Sequence, residues 1–317
     1  MVKKLLVCGG TGFVGRNVSE YFAKKSDFEV YATYFNSKPF DNSKINFVKS
    51  DLTEKSDVDE SVKGKDIIIQ AAAKTSGAKD IFTRPYYHVA DNAVMNALLF
   101  RSAFEHKIKN FIFLSCLTMY QSSDKAVKET DFNPNDEIHP RYFSSAWTKV
   151  YNEKMCKFYS GISDTKYLIL RHSNIYGPHD KFDLEKSHVF GATMTKVMKS
   201  KEPEKIVVWG EGKEERDLLY IFDLIDFIDL AIKKQKEKYQ IYNVGYGSSI
   251  SIKDLVKKII DASGKDLKIE FDSTKPSIKT KVFLDTKKAK KDFGWQAKTN
   301  LDDGIKKTMK WYKENLL

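Results

Sequence analysis

The sequence has few cysteines, and they lie far apart. Cys8, Cys116 and Cys156 are the three in 317 residues, and their spacing is that of neither a zinc site nor a disulfide framework. No apolar run reaches the roughly 18 residues that a membrane-spanning helix needs. The apolar run behind Lys3 and Lys4 is too short for a signal peptide. We therefore expect a cytoplasmic protein without a metal site.

The chain also lacks internal repeats, low-complexity stretches and clustered charge. Hydrophobic residues make up 41% and aromatic residues 13%, which is typical of a globular enzyme. The net charge is +11, but the lysines are scattered, and many lie beside acids, as Lys253 does beside Asp254. This distribution favours a solvated surface over a nucleic-acid site, and it also attracts anionic substrates such as nucleotide diphosphates.

The first 25 residues predict a dinucleotide-binding turn. A short apolar strand from Lys4 to Cys8 leads into Gly10-x-Gly12-x-x-Gly15, and a helix is predicted from Arg16 to Lys25. In this context the glycines provide a tight turn, close approach of the backbone to a pyrophosphate, and close packing of the helix on the sheet. The cofactor contacts expected here are Gly9, Gly12, Phe13, Val14 and Gly15.

Alternating strands and helices predict an α/β fold, a Rossmann-type doubly wound parallel sheet with a smaller C-terminal substrate domain. Further strands are predicted at Phe28 to Tyr34, Ile45 to Lys49, Asp66 to Ala71, Phe111 to Ser115, Tyr167 to Leu170, Lys205 to Trp209 and Ile241 to Val244. Further helices are predicted at Tyr87 to His106, Ser145 to Ser160, Ile252 to Ser263 (capped by Ser251) and Leu301 to Asn315 (capped by Asn300). We assign 1–173 and about 218–247 to dinucleotide binding, and about 174–217 and 248–317 to the substrate.

Ligands bind such sheets at the carboxyl ends of the strands. Residues 33–36, after the second strand, offer neither an acid for a ribose nor a base for a 2′-phosphate, which favours NAD over NADP. Asp51, followed by Leu52, either accepts a bond from the adenine amino group or only caps a turn. The small residues Ala72 and Ala73, before Lys74, either let the backbone approach the cofactor or only pack tightly.

These motifs together resemble the extended short-chain dehydrogenase/reductases that act on nucleotide sugars, and most nearly the GDP-fucose synthases. The matching segments are Gly9-x-x-Gly12-x-x-Gly15, Ala71 to Lys74, Asn174 to Asp180, Lys186 to Val189, and Val207 to Gly212 with Arg216. The resemblance implies NAD, hydride transfer at C4 of a GDP-linked sugar, and a role in polysaccharide sugar biosynthesis. It also implies a homodimer formed through two helices of each subunit, near 87–106 and 145–160.

The resemblance assigns catalytic roles, and the chain departs from several of them. Lys149 matches the lysine of the Tyr-x-x-x-Lys pair, but Ser145 stands where that pair has its acid/base tyrosine. Cys116 stands in place of the serine or threonine that polarises the sugar oxygen. Thr118 replaces the cysteine that the epimerase/reductases use as a base, whereas His188 matches their histidine.

The site expected from the residues and the resemblance therefore has three parts. The catalytic candidates are Lys149, Ser145, Cys116, Ser115 and His188. Further cofactor contacts are expected from Asp51, Leu52, Ala72, Ala73, Lys74, Lys149 and His172. Substrate contacts are expected from Thr118, Asn174, His188 and Arg216.

Several alternatives follow from Ser145. It is either an engineered replacement or a natural variant whose proton passes through water, Ser115 or Cys116. Tyr142, one helical turn earlier, is a further source of a phenol. The loss of the cysteine at Thr118 favours a 4-dehydrogenase or 4-ketoreductase over a 3,5-epimerase/4-reductase. A non-catalytic sensor of NAD or sugar nucleotides is the remaining alternative.

Overall fold

Seven parallel strands form the central sheet. The structure, a computed structural model, describes residues 2–75, 84, 86, 89–184, 187–201, 203–275 and 277–317. The strands of this sheet are β1 (Lys3–Cys8), β2 (Phe28–Tyr34), β3 (Ile45–Lys49), β4 (Ile67–Gln70), β5 (Asn110–Cys116), β6 (Lys166–His172) and β10 (Tyr239–Val244). Their order across the sheet is β3-β2-β1-β4-β5-β6-β10. The order reverses between β1 and β4, so the ends of these two strands border a crevice in which such folds bind ligands.

Helices cover both faces of this sheet. They are α1 (Phe13–Phe22), α2 (Lys55–Val62), α3 (Ala90–Glu105), α4 (Phe143–Ile162) and α6 (Ile221–Lys234). Strand β1 contributes to two separate cores, because successive residues of a strand point to opposite faces. Leu5 packs with Val18 of α1 and Leu224 of α6, whereas Leu6 packs with Val58 of α2 and Leu99 of α3. The predicted doubly wound α/β class is confirmed.

Two smaller sheets complete the fold, and the first begins where β6 ends, since only Ser173 separates β6 from β7 (Asn174–Tyr176). The first contains β7, β9 (Glu215–Tyr220) and β11 (Ser249–Ser251), and the second contains β8 (Glu204–Trp209) and β12 (Leu267–Asp272). The helices of this part are α5 (Val189–Lys199), α7 (Ile252–Ser263), α8 (Lys287–Phe293) and α9 (Leu301–Leu316). The expected domain boundary near residue 218 falls inside β9.

The helix caps behave as the sequence predicts. Ser251 Oγ accepts a hydrogen bond from the Asp254 amide, 3.1 Å away, at the start of α7. Asn300 Oδ1 accepts one from the Asp303 amide at 2.9 Å at the start of α9. These side chains satisfy amides that the helices themselves leave unpaired.

Four of the five predicted helices have different bounds, and two of them begin three residues away from the expected position. The first helix begins at Phe13 and ends at Phe22, not at Arg16 and Lys25, because Gly12 is already its N-cap. Helix α3 begins at Ala90; Tyr87, where we expected its start, lies outside the described residues. In the described part of the chain, no helix has the length and apolar composition of a membrane span.

Candidate active site

The turn between β1 and α1 has the geometry of a phosphate-binding loop. Gly9 adopts a φ of +73°, and a Cβ on it would lie 2.7 Å from Ala72 Cα. A Cβ on Gly10 would lie 2.4 Å from Ala32 Cβ, and one on Gly15 would lie 2.1 Å from the Gly9 oxygen. Each of these glycines therefore permits a close contact within the protein.

Gly12 differs from its neighbours in this turn. A Cβ there would meet only the Gly9 oxygen, at 3.3 Å, so the protein leaves the space above it open. Gly12 is the N-cap of α1, with no side-chain cap and no acid in the first turn. Phe13 and Val14, which follow, place their amides at the positive end of the helix. An open, positively polarised helix N-terminus suits a pyrophosphate.

Asp51 forms the turn that follows β3. Its Oδ1 accepts bonds from the Thr53 hydroxyl at 2.6 Å and the Thr53 amide at 3.0 Å. These bonds hold the pKa of the Asp51 carboxyl below its ordinary value. Leu52 is buried in the core, and its contact with the cofactor stays a prediction. The turn-capping role of Asp51 is present, and the adenine contact stays a prediction.

Polar side chains hold the loop that follows β4. Gln70 Oε1 accepts a bond from the Ala72 amide at 3.0 Å, and its amide group donates to Asn96 Oδ1 at 2.8 Å. Lys74 and Asn92 exchange two bonds, from the Lys74 amide at 2.9 Å and to the Lys74 carbonyl at 3.0 Å. The Lys74 side chain pairs with Asp91, and Ala73 is exposed. The small residues thus lie on a fixed loop at the crevice.

The ends of β5 and β6 bring several predicted residues together. Cys116 and His172 are paired in register on these neighbouring strands. Cys116 Sγ lies 2.9 Å from Thr118 Oγ1. Lys149, on α4, donates to the Leu114 carbonyl at 2.6 Å, two residues before Cys116. A thiol, a hydroxyl, an amine and an imidazole therefore share one edge of the sheet.

Burial and charge set the protonation of this cluster. Desolvation lowers the pKa of the Lys149 ammonium, and the charges of Cys116 and Glu153 oppose that change. Desolvation lowers the pKa of His172 to about 4, helped by the charges of Lys149 and His188. His172 Nδ1 donates to the Ser173 carbonyl at 2.7 Å, because a carbonyl only accepts. At neutral pH His172 is thus an uncharged ring whose Nε2 is an acceptor.

Ser115 lies next to this cluster in sequence but belongs to another network. It is fully buried, and its hydroxyl donates to Glu153 Oε1 at 2.6 Å. Glu153 also binds Arg171, from Nη2 at 2.7 Å and from Nε at 3.0 Å. The structure thus directs the Ser115 hydroxyl to a buried ion pair, and its catalytic role stays a prediction.

Ser145 lies on the first turn of α4, one turn before Lys149. Its hydroxyl donates to the Tyr142 carbonyl at 3.2 Å, so it is turned back on its own helix. Tyr142 itself lines a pocket together with Thr118, Asn174 and Arg216. Three of the four expected substrate contacts therefore share one pocket, whereas His188, the fourth, is the N-cap of α5.

The Arg216 guanidinium faces this pocket but already has partners. Nη1 donates to the Thr280 carbonyl and hydroxyl, both at 3.0 Å, and Nη2 donates to the Ile278 carbonyl at 2.9 Å. Asn174 donates to the Asp217 carbonyl at 3.1 Å. Arg216 thus joins β9 to the segment after β12, and Asn174 joins β7 to β9. Their contact with a substrate stays a prediction.

Sequence reasoning missed three features around the site. The first is the Glu153–Arg171 pair, whose partners lie 18 residues apart in the sequence. The second is Asp217, a buried carboxylate that accepts three backbone amides and whose pKa burial raises to about 6. The third is Lys181, whose ammonium donates to the Thr75 carbonyl at 3.0 Å and so joins the loops after β7 and β4. Of these three, only the Glu153–Arg171 pair could have been suspected from the sequence, because Glu153 lies one helical turn after Lys149 on the predicted helix.

The residues present fit a dinucleotide cofactor. The open space at Gly12 would take the pyrophosphate, and Lys149 lies at the same edge of the sheet, where it would hold the nicotinamide ribose. When bound, the cofactor would supply or accept the hydride. No strained contact or acid in the first turn of α1 opposes this placement.

Comparisons with known proteins agree with this geometry. Over 277 residues the chain is 29% identical to "Putative GDP-L-fucose synthase 2" of Arabidopsis thaliana, covering 84% of this chain and 82% of that protein. It is 27% identical to "GDP-L-colitose synthase" of Yersinia pseudotuberculosis, covering 98% and 97%. A solved UDP-glucose 4-epimerase of Thermotoga maritima, with UDP-glucose, superposes with a TM-score of 0.87 at 22% identity, covering 99% of this chain and 100% of that one.

A family model decides the assignment. The model described as "NAD dependent epimerase/dehydratase family" matches residues 5–245, which include the glycine turn, Lys149 and the ends of β5 and β6. The family resemblance seen in the motifs is thereby confirmed. The chain belongs to the NAD-dependent epimerase/dehydratase family, and NAD is its cofactor.

Proposed function

We propose that the chain is an NAD-dependent oxidoreductase that transfers a hydride at C4 of a GDP-linked sugar, as a 4-dehydrogenase or 4-ketoreductase. The observation that carries the proposal is one pocket lined by Thr118, Asn174 and Arg216, with Thr118 in contact with the cluster around Lys149. Hydroxyl and amide groups suit a sugar, and a guanidinium suits a diphosphate. The GDP-L-fucose and GDP-L-colitose synthases among the relatives support guanosine as the base.

Each part of the chain has a role in this proposal. The large sheet holds NAD, and the smaller sheets with α5, α7 and α9 hold the sugar nucleotide, broadly as the sequence divides the domains. Thr118 has no thiol for carbanion chemistry at C3 and C5, so the 3,5-epimerase/4-reductase activity is the less favoured alternative. The charge of His188 helps to lower the pKa of His172, and on that basis we assign His188 to the nicotinamide end of the proposed site. A role in polysaccharide sugar biosynthesis rests on analogy with the relatives.

The test is hydride transfer measured directly. Purified protein is mixed with NAD⁺ and GDP-hexoses or UDP-hexoses, and with NADH and the corresponding 4-keto sugars, while NADH absorbance is followed. We expect turnover with GDP-sugars. Ser145→Tyr is expected to raise kcat by about 10–100-fold, because positioned acid/base groups contribute about 10²–10⁴-fold.

Ser144→Tyr is the matched control, since it adds the same side chain about 100° around the helix, and we expect no gain from it. Tight binding of NAD and a GDP-sugar without hydride transfer, in both the native chain and Ser145→Tyr, would replace the oxidoreductase by a binding sensor. Turnover of UDP-sugars alone would refute the choice of guanosine.

A homodimer is the second part of the proposal. An apolar stripe runs along α4 at helical spacing: Trp147, Tyr151, Met155, Phe158 and Ile162. Phe158 is 57% and Ile162 is 51% exposed, and Val94 and Phe104 on the neighbouring helix α3 are also exposed. Single exposed apolar side chains are normal on a protein surface, but a continuous stripe of them indicates a contact surface. Two copies of the chain that pack these helices together would bury the stripe.

Phe158→Glu is expected to convert the dimer to a monomer, because it places a charge in the most exposed part of the stripe. Light scattering coupled to size-exclusion chromatography gives the mass. Phe222→Glu is the control, since Phe222 on α6 is 41% exposed on the other face of the sheet. A dimer that survives Phe158→Glu would contradict the assignment of this face.

A further inference from the structure

The segment after β7, residues 178–181, connects two structures that border the cofactor crevice. At its first end the Asn17 side chain of α1 donates to the Pro178 carbonyl at 2.8 Å and to the Phe13 carbonyl at 2.9 Å. Phe13 is the first residue of α1, and its amide lies at the turn that suits a pyrophosphate. This end of the segment is therefore held against the first turns of the helix that the cofactor is expected to meet.

The second end of the segment reaches the loop that follows β4. The Lys181 ammonium donates to the Thr75 carbonyl at 3.0 Å and to the Thr75 hydroxyl at 3.3 Å. The same loop packs against the glycine turn through Ala72, whose Cα would lie 2.7 Å from a Cβ on Gly9. The crevice lies between the ends of β1 and β4. A segment that binds both α1 and the loop after β4 therefore spans this crevice.

Ring contacts hold the middle of the segment in place. The centroids of the His179 and Trp311 rings lie 4.6 Å apart, and His179 Nε2 lies 3.6 Å from Glu20 Oε2 on α1. Phe182, directly after the segment, stacks on Trp311 of α9 with the ring centroids 5.6 Å apart. His179 has a φ of +65°, an uncommon conformation that persists where the surrounding structure holds it. The segment is thus fixed on α1 and α9 before it reaches Lys181.

The bond from Lys181 differs from the bond at the first end because it is exposed. Asn17 and Pro178 are buried, whereas Lys181 is exposed to solvent. Water competes for an exposed ammonium, so a bond of this kind opens at a lower free-energy cost than a buried one. The Asn17–Pro178 bond is therefore the permanent attachment, and the Lys181–Thr75 bond is the one that can open.

We propose that residues 178–181 are a strap across the cofactor crevice, and that Lys181 is the positioning residue that closes the strap over bound NAD. The turn at Gly12 opens into the crevice that the strap spans. NAD therefore enters and leaves while the Lys181–Thr75 bond is open, and the strap sets the rate of NAD exchange. This inference goes beyond the proposed function, because it concerns NAD alone and involves neither the sugar nor the hydride.

Stopped-flow fluorescence of NADH, with the full-length protein and no sugar, measures the rate constants of association and dissociation. We expect Lys181→Met to raise both by about 10-fold, the change in open population that the loss of one hydrogen bond to a charged group gives. The dissociation constant should change less than about 3-fold, because a strap that slows entry and release alike leaves the equilibrium unaltered. Lys181→Arg keeps a donor and should retain both rate constants within about 3-fold.

Lys196→Met is the matched control, because it removes the same kind of bond elsewhere in the chain. Lys196 Nζ donates to the Val207 carbonyl at 2.7 Å, which joins α5 to β8 and not to the large sheet. We expect unchanged NADH association and dissociation in this variant. Thermal unfolding of Lys181→Met and Lys196→Met checks that both substitutions leave the fold intact.

Three results would overturn the strap. Unchanged rate constants in Lys181→Met would show that the bond to Thr75 does not limit exchange. Faster dissociation with unchanged association would mean that Lys181 binds NAD directly and closes nothing. Equal acceleration in Lys196→Met would assign the effect to the loss of any lysine. Because the measurement includes no sugar and no hydride transfer, a failure of the proposed oxidoreductase activity remains distinguishable from a failure of the strap.

Discussion

Gly15→Ala is expected to abolish tight NAD binding, with an affinity loss of about 100-fold or more. A Cβ at Gly15 would lie 2.1 Å from the Gly9 oxygen and 2.8 Å from the Gly9 carbonyl carbon. Both are backbone atoms of the turn, so the clash is relieved only if the turn opens or α1 moves away from it. Either movement displaces the first-turn amides from the pyrophosphate. A hundredfold loss corresponds to about 2.7 kcal/mol, and overpacking costs about 1–3 kcal/mol of stability as well.

Gly161→Ala is the matched control, because it makes the same change inside a helix. Gly161 lies in α4, and a Cβ there would meet no atom within 4 Å. Alanine is favoured over glycine in a helix interior by about 0.5–1 kcal/mol, so this variant should be slightly more stable and bind NAD normally. Fluorescence titration with NADH and thermal unfolding measure both effects. Normal NADH affinity in Gly15→Ala would contradict the placement of the pyrophosphate at this turn.

The parts of the fold that sequence predicted well are those with local signals. The strands at Phe28–Tyr34 and Ile45–Lys49 and the helix at Ile252–Ser263 have the predicted bounds. Strong apolar runs mark the buried strands, and Ser251 marks the start of that helix. The strands of the small sheets depend on long-range pairing instead: β7 and β11 have three residues each. Strands this short carry no readable alternation.

Helix α6 was not among the predicted helices, although its sequence has a clear apolar periodicity. Its buried residues Ile221, Leu224, Ile225, Ile228 and Ile232 recur at the three- and four-residue spacing of an amphipathic helix. The periodicity therefore predicts this helix, and its packing against α1 closes one face of the sheet.

The candidate site was predictable only in part. Strand alternation separates Ser115 from Cys116, because consecutive strand residues point to opposite faces, so the two were not equal candidates for one site. The partners of Arg216 lie 62 and 64 residues further along the chain. No local pattern indicates such contacts. Motifs thus locate the strand ends, and tertiary packing decides which side chains meet there.

Glu153→Gln is expected to destabilise the protein by about 3–5 kcal/mol, because it leaves a buried guanidinium without its counter-charge. Glu153 and Arg171 side chains are each 4% exposed and lie 2.7 Å apart. Arg171 Nη1 also donates to the Tyr120 hydroxyl at 2.9 Å and to the Glu129 carbonyl at 3.0 Å. The pair therefore joins α4, β5, β6 and the segment after β5 beneath the cluster that contains Lys149.

Glu153→Leu combined with Arg171→Met measures what the two charges contribute as a pair. Apolar replacement of both residues removes the cost of burying the charges together with the attraction between them. We expect the double variant to recover at least half of the stability lost in Glu153→Leu alone, measured by urea unfolding with the slope held in common. Its kcat should stay low, because Glu153 lies one turn after Lys149 and its charge supports the Lys149 ammonium. If Glu153→Leu and the double variant had the same free energy of unfolding, the stabilities of the two sites would not be coupled through the ion pair. Recovery of stability without recovery of turnover would identify Glu153 as a positioning residue for Lys149.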